Sequence, residues 1–381
     1  MKNVLQILIT FFKKETILCV AGVLALLSAF FVHPSSEYIE YLDLRVLSLL
    51  FCLMLVVAGL QDIGVFKKMG TALLSHIKNT RQLVLMLTGL CFFSSMLITN
   101  DVALITFVPF AIMILLMAKQ EQLFIPVIVL QTIAANLGSM FTPIGNPQNL
   151  YLYSAFSIPA SKFLMTMLPL TAVSLVCLVL AALFLPNAEL TVHSSESGTP
   201  ISGKKLFLLL CLFLICLGCV ARMFSYPWML LLVVIGILLC DRSLFRKVDY
   251  SLLMTFVCFF LFIGNMQRIP AIADFLQALI SGRELLIGIL LSQCISNVPA
   301  AILLSGFTDR ATPLLYGVNI GGLGTLIASL ASLISFRCYS TLTIARKGKY
   351  FRTFTVYNLV FLLLIGSAGF FLTKYPGLLP G

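Results

Sequence analysis

The sequence predicts an all-α polytopic membrane protein, and its composition, hydropathy and charge spacing each support this fold class. Of the 381 residues, 60% are hydrophobic and only 10% are charged, whereas about 25% of the residues in an ordinary soluble domain are charged. The mean hydropathy is +1.07. The charges are clustered between uncharged runs, and about 20 apolar residues are enough for one helical crossing of a bilayer. A soluble fold is therefore excluded, and the lipid bilayer is the expected partner of most of the surface.

Uncharged runs that can form membrane helices follow one another along the chain. They cover residues 16–32, 46–61, 82–100, 102–118, 122–161, 163–188, 206–221, 223–240, 250–267, 285–308, 311–336 and 353–373. The stretch 82–118 is interrupted at Thr99-Asn100-Asp101, and the run 285–308 is interrupted at Ser296-Asn297-Val298-Pro299. Each arm of the second run has about a dozen residues, which is typical of a re-entrant segment. We therefore expect about nine full crossings and two re-entrant helical hairpins.

The basic residues predict the orientation of the chain. In this arrangement, eighteen of the 25 Lys and Arg residues fall on one face and seven on the other. Because cytoplasmic loops collect Lys and Arg, we expect a cytoplasmic N-terminus and an external C-terminus. A full span over 285–308 would place the basic cluster 337–352 outside, against this rule. The net charge of +11 then reports topology, and nucleic acid is not an expected partner.

A polar stretch at 187–205, which contains Ser, Gly and Pro, reads as a flexible cytoplasmic linker. The two sides of this linker carry similar motifs. Residues 99–103 are echoed by residues 296–300, and Asn-x-Gly-x-x-x-Thr-x-Ile begins both at Asn136 and at Asn319. In the expected orientation the first hairpin enters from the cytoplasm and the second from outside. We therefore predict inverted repeats over 15–185 and 224–374, joined by a linker and linking helix at 186–223.

Four polar segments interrupt the predicted helices, namely the tips at Asn100 and Asn297 and the Gly-rich stretches 136–149 and 319–325. Non-helical backbone inside a bilayer survives only where protein or a polar cavity covers it. A broken helix presents free N–H groups on one side of the gap and free carbonyls on the other, which suit an anion and a cation respectively. Inverted repeats with such breaks are typical of secondary transporters. The alternative is that small and polar residues here only permit close helix packing.

The candidate substrate-binding and ion-binding residues are the polar and glycine positions of these segments. They are Thr99, Asn100, Asp101, Asn136, Gly138, Thr142, Gly145, Asn146, Ser296, Asn297, Asn319, Gly321, Gly322 and Thr325. Asp101 is the only acid expected deep in the membrane. A central Asp is disfavoured by roughly 2.5 to 3.5 kcal/mol, and binding a cation or a proton offsets part of this cost. Its alternative role is to cap the helix that follows it.

The tips 99–101 and 296–299 and the segment 136–149, with its tail Thr142-Pro143-Ile144-Gly145-Asn146-Pro147-Gln148-Asn149, resemble the ion transporter superfamily. This superfamily includes citrate transporters, divalent anion:sodium symporters, arsenite permeases and one type of sodium/proton antiporter. The resemblance spans nearly the whole chain and is nearest to citrate-transporter-like proteins of bacterial inner membranes. It implies two hairpins whose tips meet two broken helices, a homodimer formed through a scaffold, and an elevator-like movement.

In the dicarboxylate branch of this superfamily each tip carries Ser-Asn-Thr, which holds sodium and the substrate carboxylate. The present tips end in Asp101 and Val298 instead, and the acid is more similar to the arsenite-permease and antiporter branches. The resemblance implies sodium at Thr99, Asn100, Asp101, Ser296 and Asn297. It also implies a multi-pass location in the bacterial cytoplasmic membrane.

We therefore expect a secondary active transporter for a small anion or oxyanion, coupled to sodium or protons. A sodium/proton antiporter is the alternative within transport, and a structural or receptor-like membrane protein is the alternative outside it. An enzyme is not expected, because one intramembrane Asp with no membrane His supplies neither a nucleophile and base nor a pair of acids. His33, His76 and His193 lack partners at metal-ligand spacing. No cofactor is expected apart from the coupling ion.

Overall fold

The computed structural model describes residues 15–74, 77–189 and 201–375, and in these ranges the protein is all-helical. His76, His193, the first fourteen residues and the Ser-rich part of the predicted linker lie outside the described residues. The first nine helices are α1 (Thr16–Phe31), α2 (Leu44–Asp62), α3 (Val65–Leu74), α4 (Thr80–Ile98), α5 (Asn100–Met117), α6 (Phe124–Ser139), α7 (Pro147–Ala155), α8 (Ala160–Leu183) and α9 (Gly203–Val220). The remaining helices are α10 (Tyr226–Cys240), α11 (Tyr250–Gln267), α12 (Pro270–Ile280), α13 (Glu284–Ile295), α14 (Asn297–Ser305), α15 (Ala311–Ile320), α16 (Leu330–Ser340) and α17 (Lys347–Lys374).

Helix length and composition make this a multi-pass membrane protein, as the sequence predicts. Within the described residues, 8 helices are long and apolar enough to cross a bilayer. They are α2, α4, α5, α6 with the short 3₁₀ turn before it, α8, α9, α11 and α17. The helices α1 and α10 are apolar but shorter, and α12 and α13 form a pair bent by 108°. The number of crossings, the re-entrant hairpins and the inverted repeats remain predictions.

Burial places α6 at the centre of the bundle and α8 and α17 at its lipid-facing side. About nine-tenths of the apolar window of α6 is buried, at 89%, against 33% for α8 and 22% for α17. Large apolar side chains such as Val176 and Leu363 are exposed on the two outer helices. Exposed apolar side chains on a membrane helix are solvated by lipid tails, so α8 and α17 face the bilayer.

Two helices were not anticipated, α3 and α12, which the sequence analysis treated as connections between spans. Both are short, with 10 and 11 residues, and both carry charges, Lys67 and Lys68 in α3 and Asp274 in α12. Helices of this length are marginal alone and depend on packing. The chain leaves α12 through Gly282, whose φ of +77° is available to glycine at little cost, and then turns into α13.

The helices are interrupted at the four places that the sequence indicates. A single residue separates α4 from α5, and another separates α13 from α14. Longer breaks separate α6 from α7 and α15 from α16. The longer breaks begin later than predicted, because Asn136 is still helical in α6 and Asn319 is still helical in α15. The arms beside the single-residue breaks differ in length, with 19 and 18 residues in α4 and α5 but 12 and 9 in α13 and α14.

Candidate functional site

Four helices begin at one cavity that lies between the polar segments, and Leu252 in the first turn of a fifth helix also lines it. The cavity is small, with a volume of about 10 Å³, which is room for about one water molecule. Its lining residues are Asn100 and Asp101 of α5, Pro147 and Gln148 of α7, Leu252 of α11, Asn297 and Val298 of α14, and Ser329 and Leu330 near the start of α16. Helix N-termini carry unpaired N–H groups and a partial positive charge. Four of them around one cavity make a favourable environment for an anion.

The two single-residue breaks, which we call the tips, have nearly the same unusual backbone conformation. Thr99 has φ 70° and ψ 151°, and Ser296 has φ 76° and ψ 155°. A non-glycine residue in such a conformation costs about 1 to 3 kcal/mol and persists only when its surroundings fix it. The structure supplies those surroundings, because the N–H of Asn100 donates to the carbonyl of Gly145 at 3.2 Å and that of Asn297 donates to the carbonyl of Ala328 at 3.0 Å. Each tip is therefore held against the helix break on its own side of the linker.

A second contact of the same kind fixes each helix that leads into a tip. The hydroxyl of Thr142 donates to the carbonyl of Met96, and that of Thr325 donates to the carbonyl of Gln293 at 3.3 Å. Met96 and Gln293 each lie four residues before the tip asparagine. The predicted site residues Thr142 and Thr325 thus connect the breaks to the tips and are not lining residues of the cavity.

The predicted glycines lie where two helices touch. A Cβ atom at Gly138 would overlap the backbone carbonyl of Phe92, and one at Gly321 would lie 2.6 Å from the Oγ of Ser292. A Cβ atom at Gly145 would overlap the carbonyl of Ser139, and one at Gly322 would lie 2.9 Å from the Nδ2 of Asn297. Gly138, Gly321 and Gly322 therefore allow the broken helices to approach the helices beside Thr99 and Ser296 closely, whereas Gly145 allows its own break to fold back on the end of α6.

The predicted site residues Asn136, Asn146 and Asn319 form a buried hydrogen-bond network with Asn149 and Ser329. We call these five residues the amide network. The Oδ1 of Asn136 accepts from Asn100 at 3.0 Å and from Ser329 at 2.9 Å, and its Nδ2 donates to the carbonyl of Gly322 at 3.4 Å. Asn146 donates to the Oδ1 of Asn319 at 3.1 Å, and Asn319 donates to the Oδ1 of Asn149 at 2.7 Å. The network therefore joins the break after α6 to the break after α15.

Asp101 carries the only acidic side chain among the lining residues. It does not cap α5, because its own N–H donates to the Oδ1 of Asn100 at 3.0 Å and the carboxylate accepts no N–H of the first turn among the described residues. Its Oδ1 is buried and has no hydrogen-bond partner in that part of the chain. A buried carboxylate oxygen without a donor is costly, so the oxygen is available to a cation or a proton.

Two cavity residues were missed as site candidates. Gln148, with 2% of its surface exposed, makes no side-chain hydrogen bond with the described residues. Ser329 lines the cavity and also donates to Asn136. Both had a sequence signal. Gln148 follows Asn146-Pro147, which is a typical N-cap and first-turn pair, and Ser329 occupies the position that matches Asn146 when the shared motif is extended by two residues.

Comparisons with known proteins agree with a transport role. A family model described as citrate transporter matches residues 6–311. The uncharacterised transporter MJ0456 of Methanocaldococcus jannaschii is 34% identical over 307 residues, which is 79% of this chain and 82% of that protein. The inner membrane protein YbiR of Escherichia coli K12 is 30% identical over 354 residues, or 91% and 92% of the two chains. The silicon efflux transporter LSI3 of rice, Oryza sativa subsp. japonica, is 31% identical over 144 residues, or 38% and 29%.

Proposed function

Because the chain belongs to the citrate transporter family, we propose that it is a secondary active transporter that moves a small anion or oxyanion across the cytoplasmic membrane, coupled to sodium or protons. The observation that carries this proposal is the convergence of four helix N-termini on a cavity whose lining holds one acid. The N–H groups stabilise the charge of an anion, and the carboxylate of Asp101 pairs with the coupling cation. The proposal therefore puts the substrate and the coupling ion at one interface, as is typical of secondary transporters.

The charges of the lining residues favour a small substrate over a polyanion. No Lys or Arg is among the lining residues, and Asp101 contributes a negative charge. A citrate-sized substrate with several carboxylates would meet only N–H groups and amides, without a guanidinium to pair with. A monocarboxylate suits this lining. So does an arsenite-like oxyanion, much of which is protonated near neutral pH. The partial similarity to a silicon efflux transporter supports the same substrate size.

We place the coupling ion at the two tips, among Thr99, Asn100, Asp101, Ser296 and Asn297. The amide oxygens of Asn100 and Asn297 and the carboxylate of Asp101 are the oxygen ligands that a hard cation prefers. The tip carbonyls at the ends of α4 and α13 add further oxygens, since the last carbonyls of a helix have no intrahelical partner.

The finer architecture is part of this proposal. It comprises two re-entrant hairpins, two inverted repeats, a homodimer, a cytoplasmic N-terminus and an elevator-like movement of the part that holds the cavity. The short arms α13 and α14, with 12 and 9 residues, support a hairpin that enters and leaves on one face. The basic residues of the connection after α16 support the same topology.

Cysteine labelling tests this topology. On a cysteine-free background, single cysteines at Arg283 and Arg310, which flank α13 and α14, should both react with an impermeant maleimide added outside intact cells. A cysteine at Arg246, between α10 and α11, is the matched control and should react only after permeabilisation. Labelling of positions 283 and 310 from opposite faces would contradict the hairpin.

Flux into proteoliposomes tests the function. The wild-type protein should accumulate labelled arsenite, or a labelled monocarboxylate such as acetate or lactate, under an imposed sodium or proton gradient, and should accumulate citrate much less. Asp101→Asn keeps the size of the side chain but removes its charge, so we expect substrate binding to persist and gradient-driven accumulation to fall at least tenfold. Asp274→Asn, on the exposed surface of α12, is the matched control and should transport normally. Unchanged ion dependence in Asp101→Asn would place coupling elsewhere.

A sodium/proton antiporter is the second candidate, and the unpaired Oδ1 of Asp101 is the observation that favours it. A carboxylate that binds either ion in turn is sufficient for exchange. In vesicles that contain a pH-sensitive dye, sodium alone should then drive proton movement without any anion. Proton movement that requires the anion would support the symport proposal instead.

A further inference from the structure

A second and larger cavity lies where α7 ends, α8 and α15 begin and α17 ends. Its volume is about 600 Å³. It is separate from the cavity beside Asp101, which we call the transport cavity. None of its lining residues lines the transport cavity. A separate ligand is therefore the simplest reason for it to be built of polar and apolar groups together.

Two opposite charges line this cavity without being paired. Lys162, near the start of α8, forms no salt bridge with the described residues, and Asp309, before α15, forms none there either. The third charged lining residue, Arg310, is engaged with the buried carboxylate of Glu284 at 3.3 Å. Among the described residues, the cavity thus offers one cation and one acid outside any salt bridge, a combination that matches a zwitterion better than an anion.

Backbone groups add to the positive side of the cavity. The helices α8 and α15 begin at its wall, and neither has a side-chain hydrogen bond to cap its first turn. Their free N–H groups lie beside Lys162 at one end and beside Arg310 at the other. A phosphate group is bound well by such N–H groups together with a lysine.

The cavity lies at the level expected for lipid headgroups. The long helix α17 ends at Lys374, and Leu372 and Thr373 of its last turn line the cavity. Exposed apolar side chains on α8, such as Met165 and Leu168, and Phe370 on α17 continue from it toward the middle of the membrane. Acyl chains can therefore lie along α8 and α17 while the headgroup occupies the cavity.

We propose that this cavity binds the headgroup of an amine-bearing zwitterionic phospholipid of the phosphatidylethanolamine type. The phosphodiester faces Lys162 and the helix N-termini, and the primary ammonium donates hydrogen bonds to Asp309. This site is distinct from the transport cavity and does not depend on the proposed substrate.

Native mass spectrometry of the full-length protein in detergent, with defined phospholipids added, tests the proposal. The wild-type protein should retain phosphatidylethanolamine about tenfold better than phosphatidylcholine, whose quaternary ammonium cannot donate hydrogen bonds. Asp309→Asn should remove this preference while phosphatidylcholine retention stays the same. Lys162→Gln should weaken retention of both lipids about tenfold. The controls Asp274→Asn and Lys204→Gln, on exposed helix surfaces elsewhere, should leave both values unchanged.

Three results would overturn the proposal. These are equal retention of the two lipids by the wild-type protein, a stronger retention of phosphatidylglycerol, and an unchanged preference in Asp309→Asn. Soluble glycerophosphoethanolamine is the arm that separates a lipid from a free phosphoester. If it competes as well as the whole lipid at equal concentration, the cavity binds a soluble metabolite and the lipid assignment is wrong.

Discussion

The two tips share a backbone conformation, but the side chains that follow them differ in charge. Thr99 and Ser296 have φ and ψ values within a few degrees of each other, and the asparagine after each tip donates to a break carbonyl in the same way. The next residue is Asp101 in one tip and Val298 in the other. The two tips therefore have the same backbone arrangement and the same contacts with the breaks, which we call the frame, but only the first carries an acidic group. Frame and chemistry can be tested separately, because different residues carry them.

The largest effect is expected from the close helix contacts of the frame. Gly138→Ala brings a Cβ atom onto the backbone carbonyl of Phe92, which cannot move without displacing α4. The overlap in Gly321→Ala is smaller, because the new Cβ atom would lie 2.6 Å from the Oγ and 2.7 Å from the Cβ of Ser292 and 2.8 Å from the carbonyl of Gly317. We expect Gly138→Ala to lower the free energy of unfolding by about 3 kcal/mol or more, and Gly321→Ala to lower it by about 1 to 3 kcal/mol.

Thermal unfolding followed by fluorescence-detected size exclusion measures these two costs. Gly89→Ala is the matched control, because it lies on α4 and a Cβ atom there meets nothing within 4 Å. It should leave the unfolding temperature unchanged or raise it slightly. Equal losses for Gly138→Ala and Gly321→Ala would show that the two contacts are equally rigid.

The amide network should separate stability from substrate binding. Asn136 contacts the first tip through Asn100 as well as the second break through Ser329, whereas Asn319 contacts residues of the breaks and its own helix. We expect Asn136→Ala and Asn319→Ala each to lower the free energy of unfolding by about 1 to 3 kcal/mol, because buried partners lose their hydrogen bonds. Only Asn136→Ala should also weaken substrate binding at the cavity.

Binding of labelled substrate to purified protein, measured beside thermal unfolding, checks this difference. Asn358→Ala is the matched control, since within the described part of the chain the Nδ2 of this buried asparagine donates only to the carbonyl of Phe354 in its own helix. It should be milder than both. A double-mutant cycle of Asn136→Ala with Ser329→Ala should give a coupling of about 1 kcal/mol, and the absence of coupling would argue against the network.

The smallest effects are expected from the threonines that fix the arms. Thr142→Val and Thr325→Val keep the shape of the side chain and remove the hydroxyl that donates to Met96 or Gln293. The loss should be about 0.5 to 1.5 kcal/mol for Thr142. It should be smaller for Thr325, which is exposed to solvent and can be replaced by water. Unfolding temperatures of the two variants, compared in one detergent, test this order.

The sequence predicts the two single-residue breaks well, because each coincides with a polar tripeptide inside an apolar run, but it starts the two longer breaks too early, at Asn136 and Asn319. It predicts α3 and α12 poorly, since Lys67 and Asp274 make each helix look like a connecting loop. The family is also confirmed. The roles of the asparagines are harder to foresee. Whether Asn136 faces a cavity or another amide depends on how two distant segments pack, and no local pattern encodes that distance.

The roles of the site residues remain predictions, and the structure divides these residues into two groups. Asn100, Asp101 and Asn297 line the cavity, whereas Asn136, Asn146 and Asn319 lie behind it with their amides engaged by protein groups. Gln148 was overlooked although Asn146-Pro147 marks it as a first-turn residue, because that position does not say which groups the helix faces. That its side chain makes no hydrogen bond with the described residues depends on how α7 packs beside α5 and α14, which no local pattern shows.

The amide network also sets a barrier for any opening between the two breaks. Four side-chain hydrogen bonds join them, from Asn136 to Gly322, Asn146 to Asn319, Asn319 to Asn149, and Ser329 to Asn136. At about 1 kcal/mol each, separating the breaks costs roughly a factor of a thousand in population, which would slow a rocking cycle that splits the molecule along this seam. In the transport cycle proposed above, these bonds therefore favour a movement in which both breaks move together and the sliding surface lies along helices outside the amide network.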